Sequence, residues 1–191
     1  MQFVSLAGCK PVAWKNGGGL TRDLLLWPPG AGIDHWALRI SVAEVARSGP
    51  FSAYPGVARW FCVLQGEGVR LALAGGEQTL TPDSAPLHFD GAAAPGCTLL
   101  AGPTLDLNFM ARQEAGRAEM ARAVPGIAWS SSARLRAVFA RDPVTLRAGA
   151  APPRPLRAGT LAFDDAARGE PWHLAGIGAL AWWLSFEPHT R

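Results

Sequence analysis

Turn residues recur along this chain roughly every eight to twelve positions, and no other feature constrains the fold as strongly. Gly and Pro account for 22 and 16 of the 191 residues. They break the sequence into short segments, few of them long enough for a helix of several turns. The segments do not alternate between strand-like and helix-like periods, which excludes a doubly wound parallel sheet. The rhythm is that of an all-β sandwich or barrel.

Trp36 to Val42 reads W-A-L-R-I-S-V. Trp36, Leu38, Ile40 and Val42 point one way, and Arg39 and Ser41 share the other, polar face. In a barrel such a face can line a cavity as readily as it faces water. Leu105, Leu107 and Phe109 likewise oppose Asp106, Asn108 and Met110. Arg59–Leu64 and Val69–Ala74 read as a hairpin around Gln65-Gly66-Glu67-Gly68. Thr98–Ala101 and Leu105–Met110 read as a further pair around Gly102-Pro103. Residues 112–123, RQEAGRAEMARA, are the best helical candidate, weakened by Gly116. Val144–Arg147, Thr160–Phe163 and Ala179–Phe186 are strands by the same criteria. GCTLLAGPTLDLNFMAR and WHLAGIGALAWWLSFEP share a pattern of apolar strand, Gly-containing turn and apolar strand, a weak internal echo.

The net charge is +3 with Arg spread along the chain and Lys confined to Lys10 and Lys15. No basic stripe or arm of the kind that binds nucleic acid is present. No stretch approaches the ~18 apolar residues of a membrane span, and the N-terminus lacks a basic start followed by a long apolar stretch. A soluble cytoplasmic protein is expected. Cys9, Cys62 and Cys97 form neither an even framework nor a CxxC pair, which argues against disulfides and zinc ribbons. Cys62, in an apolar run, reads as a core thiol.

The most unusual segment is Trp14-Lys15-Asn16-Gly17-Gly18-Gly19-Leu20-Thr21-Arg22-Asp23. Consecutive glycines permit backbone paths closed to other residues and can expose N–H groups to an anion. Lys15, Asn16, Thr21 and Arg22 add donors suited to a carboxylate or phosphate. Lys15 precedes the glycines and no helix follows, so this is not a nucleotide-hydrolysing loop. A flexible loop with an incidental Lys is the alternative. The second segment, Gly49 to Arg59, brackets Phe51, Ser52 and Tyr54 with turn residues and leads into Arg59. Taken alone, it is better explained as a packed turn with Phe51 and Tyr54 as its hydrophobic plug.

Taken in order, W-K-N-G-G-G-x-T-R, R-I-S-V-A, G-P-F-S-x-Y-P-G-x-x-R, F-D-G and D-x-N-x-M resemble the HutD/Ves family over residues 10–112. The resemblance implies a double cupin-like (bicupin) β-barrel or sandwich with little helix, of the RmlC-like jelly-roll kind. Residues 1–112 would form an N-terminal unit carrying a ligand pocket, and residues 113–191 a second β unit. It also implies an association, in some members, with histidine utilisation and formylated glutamate intermediates, and in others with stress responses.

Metal-dependent cupins resemble a pattern of H-x-H, a following Glu and a distant His. His35, His88, His173 and His189 do not reproduce it, so no metal and no other cofactor is expected. No G-x-S-x-G elbow or evident nucleophile–base pair occurs. The expected function is metal-independent binding of a small anionic metabolite, a carboxylate such as a formylated amino acid. Trp14, Lys15, Asn16, Gly17, Gly18, Thr21, Arg22, Arg39, Ser41, Phe51, Ser52, Arg59, Asp106 and Asn108 would form the site. Arg59 is the expected carboxylate fork. An isomerase or deformylase-like enzyme on the same pocket, with Asp106 or His88 active, remains an alternative. So does a non-catalytic interaction protein or homo-oligomer docking through its sheets.

Overall fold

In a computed structural model, residues 1–166 and 169–190 are described, and they form an all-β molecule whose only helices are two short 3-10 turns. None is long or apolar enough to cross a membrane. The chain divides into two compact units, Cys9–Ala115 and Met1–Gly8 with Gly116–Arg191. The N-terminal strand therefore belongs with the C-terminal part of the chain, where β1 (Gln2–Ser5) pairs antiparallel with a strand at Thr160–Asp165.

The unit Cys9–Ala115 holds β2 (Val12–Ala13), β3 (Gly19–Trp27), β4 (Leu38–Val45), β5 (Gly49–Pro50), β6 (Val57–Gln65) and β7 (Val69–Leu73). It continues with β8 (Gly76–Leu80), β9 (Leu87–Asp90), β10 (Gly96–Leu99) and β11 (Thr104–Arg112). These make two open sheets, in the orders β2-β3-β4-β11-β6-β9 and β5-β10-β7-β8. Phe51, Phe61, Val63, Val69, Leu71, Leu80, Phe89 and Cys97 form a core between them. Each such buried side chain contributes roughly 1.5–3 kcal/mol of transfer free energy for the larger residues. The opposite face of the larger sheet is buried too: Leu38, Ile40, Val42, Leu107 and Phe109 are inaccessible to solvent.

The other unit holds β1, β12 (Gly116–Arg122), β13 (Leu135–Ala140), β14 (Val144–Ala148), β15 (Arg154–Leu156), β16 (Thr160–Asp165), β17 (Trp172–Ala175) and β18 (Ala181–Pro188). Its sheets run β1-β16-β13-β18-β12 and β15-β14-β17. The two units repeat one strand order. The run β4-β11-β6-β9 corresponds to β12-β18-β13-β16, and β10-β7-β8 to β17-β14-β15. The two echoing sequence segments are β10–β11 and β17–β18, the same pair in each repeat.

Two expectations change. Residues 112–123 are not helical: Gly116–Arg122 is an edge strand paired with β18. A Cβ at Gly116 would lie 2.3 Å from the Glu187 carbonyl, so the strand's close approach requires glycine there. Pairing to β18 overrides a local composition that favours helix. β6 and β7 are not a hairpin but lie in different sheets, and β10 and β11 are likewise divided between sheets. Gly66 and Gly68, at φ 95° and 118°, carry the chain across from one sheet to the other. Of the barrel or sandwich expected, each unit is the sandwich: its sheets stay open in hydrogen bonding.

Candidate functional site

The candidate site is built on one face of the larger N-terminal sheet. Side chains alternate along strands, and antiparallel register places the following residues side by side. Asp23 on β3 faces Ser41 on β4, Ser41 faces Asn108 on β11, and Met110 on β11 lies between Arg39 on β4 and Arg59 on β6. A bulge between Asp23 and Leu25 inserts one residue into β3. It sends Leu24 into the buried interior and returns Leu26 to the same face as Asp23. That face, with the β2–β3 loop and the segment after β5, encloses a cavity of about 750 Å³. This volume suits a small metabolite.

Arg59 is the deepest cation of the cavity, with 7% of its surface exposed. Its Nε and Nη2 both donate to Asn108 Oδ1, at 3.0 and 2.6 Å. Its guanidinium carbon lies 4.5 Å from the ring centre of Phe51 and 5.4 Å from that of Phe89. Burial pulls its pKa down to about 10, with the nearby Arg39 charge adding to the shift and Tyr54 and Asp106 opposing it. It stays protonated at neutral pH. Among the described residues no carboxylate comes within ion-pair distance of it. Arg39, by contrast, is neutralised: its Nε donates to Asp23 Oδ1 at 2.7 Å.

The Gly-rich loop has a different part from the one its sequence suggests. Gly17 N–H donates to the Trp14 carbonyl at 3.0 Å, and Gly18 N–H donates to Asn16 Oδ1 at 2.9 Å. The Gly18 carbonyl accepts from the Ala46 and Arg47 amides, and the Arg47 side chain donates to the Gly17 carbonyl. These amides are engaged within the protein, and neither Gly17 nor Gly18 lines the cavity. The loop instead presents Trp14, Lys15 and Asn16 to it. Trp14 is oriented by its indole N–H, which donates to Thr21 Oγ1 at 2.8 Å.

Ten of the sequence-derived residues thus line one cavity: Trp14, Lys15, Asn16, Thr21, Arg39, Ser41, Phe51, Ser52, Arg59 and Asn108. Arg22 does not, because it alternates away from Thr21 and Asp23 along β3. Asp106 does not either. It lies fully buried on the same face as Asn108, with Thr104 Oγ1 donating to its Oδ2 at 2.8 Å and, among the described residues, no hydrogen-bond partner on Oδ1. Burial raises its pKa to about 7, against the lowering effects of Thr104 and Arg59. Sequence reasoning missed Asp23, Leu26, Tyr54 and Met110 as lining residues. Period-two alternation from Thr21 and from Asn108 was the signal for Asp23 and Met110. His88 lies outside the cavity and stacks on Trp60, with ring centres 4.3 Å apart. Among the described residues no three His, Cys, Asp or Glu side chains converge as a metal site would require.

Comparison with solved structures places this architecture among cupin-like proteins. Oxalate decarboxylase from Bacillus subtilis superposes with a TM-score of 0.61 at 10% identity, over 100% of this chain and 78% of the other. HutD from Pseudomonas fluorescens superposes with a TM-score of 0.86 at 24% identity, over 99% of both chains. A conserved protein of unknown function from Pseudomonas aeruginosa gives 0.86 at 28% identity, over 97% and 98%. Among curated proteins, an uncharacterised 21.2 kDa protein of the hutC 3' region of Pseudomonas putida is 37% identical over 56% of each chain. Protein Ves of Citrobacter koseri is 34% identical over 63% of this chain and 62% of its own. The matches therefore span less than two thirds of the length of these relatives. The family model described as HutD matches residues 7–171, and the chain belongs to the HutD family.

Proposed function

We propose that the cavity of the unit Cys9–Ala115 binds a small carboxylated metabolite without a metal, and that Arg59 is the group that holds the carboxylate. The observation that carries this reading is a buried guanidinium, facing a cavity, with an amide oxygen as its side-chain acceptor and, among the described residues, no carboxylate within ion-pair distance. A buried charge without a partner is costly, and a ligand carboxylate would supply the missing one. Guanidinium geometry favours a planar two-oxygen acceptor. Phe51 beneath the guanidinium and Trp14 on the loop provide apolar walls.

Lys15 lines the same cavity at an exposed position, and the Arg39–Asp23 pair adds no net charge. One deep and one outer cation favour a ligand with two acidic groups. Membership of the HutD family supports a formylated amino acid linked to histidine utilisation, such as formylglutamate, as the ligand to test first. The reading is that of a cytoplasmic binding or regulatory protein. Thermal unfolding in the presence of formylglutamate, glutamate, urocanate and simple dicarboxylates tests it. A saturable rise in the midpoint with formylated or dicarboxylic ligands is expected. No shift with any of them at millimolar concentration would overturn it.

A further inference from the structure

The strand order repeats between the two units, and so does a buried arginine. Arg59 lies on β6 and Arg136 on β13, the corresponding strands. Both pair with the strand that closes their repeat: Arg59 stands opposite Met110 on β11, and Arg136 opposite Ser185 on β18. Arg136 has no exposed surface. Its guanidinium carbon lies 4.9 Å from the ring centre of Trp172, much as Arg59 lies against Phe51.

The two arginines differ in their carboxylate neighbours: Phe89 on β9 stands opposite Arg59, whereas Asp164 on β16 stands opposite Arg136, though outside ion-pair distance of it. Arg136 has a carboxylate. Its Nη1 donates to the Glu170 backbone carbonyl at 2.7 Å, and its Nη2 lies 3.2 Å from Glu170 Oε1. Glu170 sits between β16 and β17, outside the sheet, and its side chain keeps 29% of its surface exposed. It is an outer residue reaching in to an interior cation. The fit is incomplete. Arg136 Nε and the Trp172 indole N–H are buried without a hydrogen-bond partner among the described residues, and Nη2 meets Glu170 as an ion pair without hydrogen-bond geometry. Ser185 is buried alongside. An ion pair serving stability alone would satisfy its donors, since each one left over costs free energy. The donor set here exceeds what one tethered carboxylate supplies.

We propose that Arg136 forms a second carboxylate-binding position, in the C-terminal unit, where Glu170 acts as a tethered resident ligand in place of a free one. Its ligand class is a small monocarboxylate the size of the Glu170 head group, such as formate or acetate. The inference does not depend on what the Arg59 cavity binds.

The test uses the full chain with Glu170→Ala, and Glu170→Gln as a variant that keeps the side-chain volume. Removing the partner of a buried cation is expected to lower the melting midpoint by roughly 5–10 °C. Sodium formate or acetate should then restore the midpoint of Glu170→Ala saturably, while sodium chloride at equal ionic strength should not. The recovery is read as the excess over the wild-type response to the same salt, which subtracts any contribution from Arg59. Arg136→Met combined with Glu170→Ala should show no such excess. The proposal is overturned if neither Glu170 variant loses stability, if chloride restores Glu170→Ala as well as formate does, or if the double variant recovers equally.

Discussion

Arg59 donates its Nε and Nη2 to a single oxygen, Asn108 Oδ1, at 3.0 and 2.6 Å. An amide oxygen fixes the direction of a guanidinium without cancelling its charge. The arginine is therefore held in place without an ion-pair partner among the described residues, which is the state a carboxylate receptor needs before its ligand arrives.

Asn108→Asp would supply the missing charge from within the protein. The exchange converts neutral-acceptor hydrogen bonds into charge-assisted ones. It should raise the stability of the unliganded protein by about 1 kcal/mol and weaken carboxylate binding by at least about tenfold. Thermal unfolding and calorimetric titration of the variant check both parts. A variant that binds as tightly as the parent would show that Arg59's charge is not what the ligand meets.

Asp106 should make stability fall as pH rises. Its carboxyl is raised by burial from 3.8 to about 7, so the folded protein holds this proton more tightly than the unfolded chain. The folded state is penalised progressively between those two values, and the full penalty is present above the higher one. Asp106→Asn keeps an oxygen for the Thr104 hydroxyl and removes the titration. Urea unfolding across this range should show a flatter profile for the variant, and greater stability above pH 7 by an amount on the order of a few kcal/mol. Identical profiles would mean that Asp106 does not titrate there.

Gly19 begins β3 where it passes against β4. A Cβ at this position would lie 2.2 Å from the Glu44 carbonyl oxygen. Gly19→Ala must move one backbone or the other and should cost at least about 2 kcal/mol, with loss of ligand affinity because Trp14 through Asn16 hang from the same loop. Gly8→Ala, where among the described residues nothing beyond the chain neighbours lies within 4 Å of the added carbon, is the matched control and should be near neutral. Chemical denaturation of the two variants separates them.

The polar face of the site was legible in the sequence because period two is a local property. Arg39 and Ser41, like Asn108 two residues from Asp106, show their common face without knowledge of neighbouring strands. Arg59 was legible as the first charged residue after a Pro- and Gly-bracketed turn. Sheet membership was not legible. Gln65-Gly66-Glu67-Gly68 has hairpin composition, yet Gly66 and Gly68 turn the chain into the other sheet, where added Cβ atoms would meet the Pro103 and Leu80 carbonyls. Those carbonyls are distant in sequence. Residues 112–123 failed for the same reason: the helix formers Glu114, Arg117, Ala118 and Glu119 state a local preference, and pairing of Gly116–Arg122 with β18 decides against it. The glycine run signalled a special loop correctly, but its amides are taken up by Trp14 and Asn16, which spacing alone does not show. Arg136 gave no signal at all, since its resemblance to Arg59 lies in strand order rather than in flanking sequence.

The central claim is that Arg59 holds a ligand carboxylate in this cavity, and calorimetric titration of formylglutamate into the wild-type protein and into Arg59→Met tests it most directly. Arg59→Met replaces the buried charge with an apolar chain of similar length, so the variant is expected to fold. The account predicts saturable binding at one site in the wild type and an affinity at least about tenfold lower in the variant, the loss expected for a buried charge-assisted pair. Equal affinity in the two proteins would contradict it.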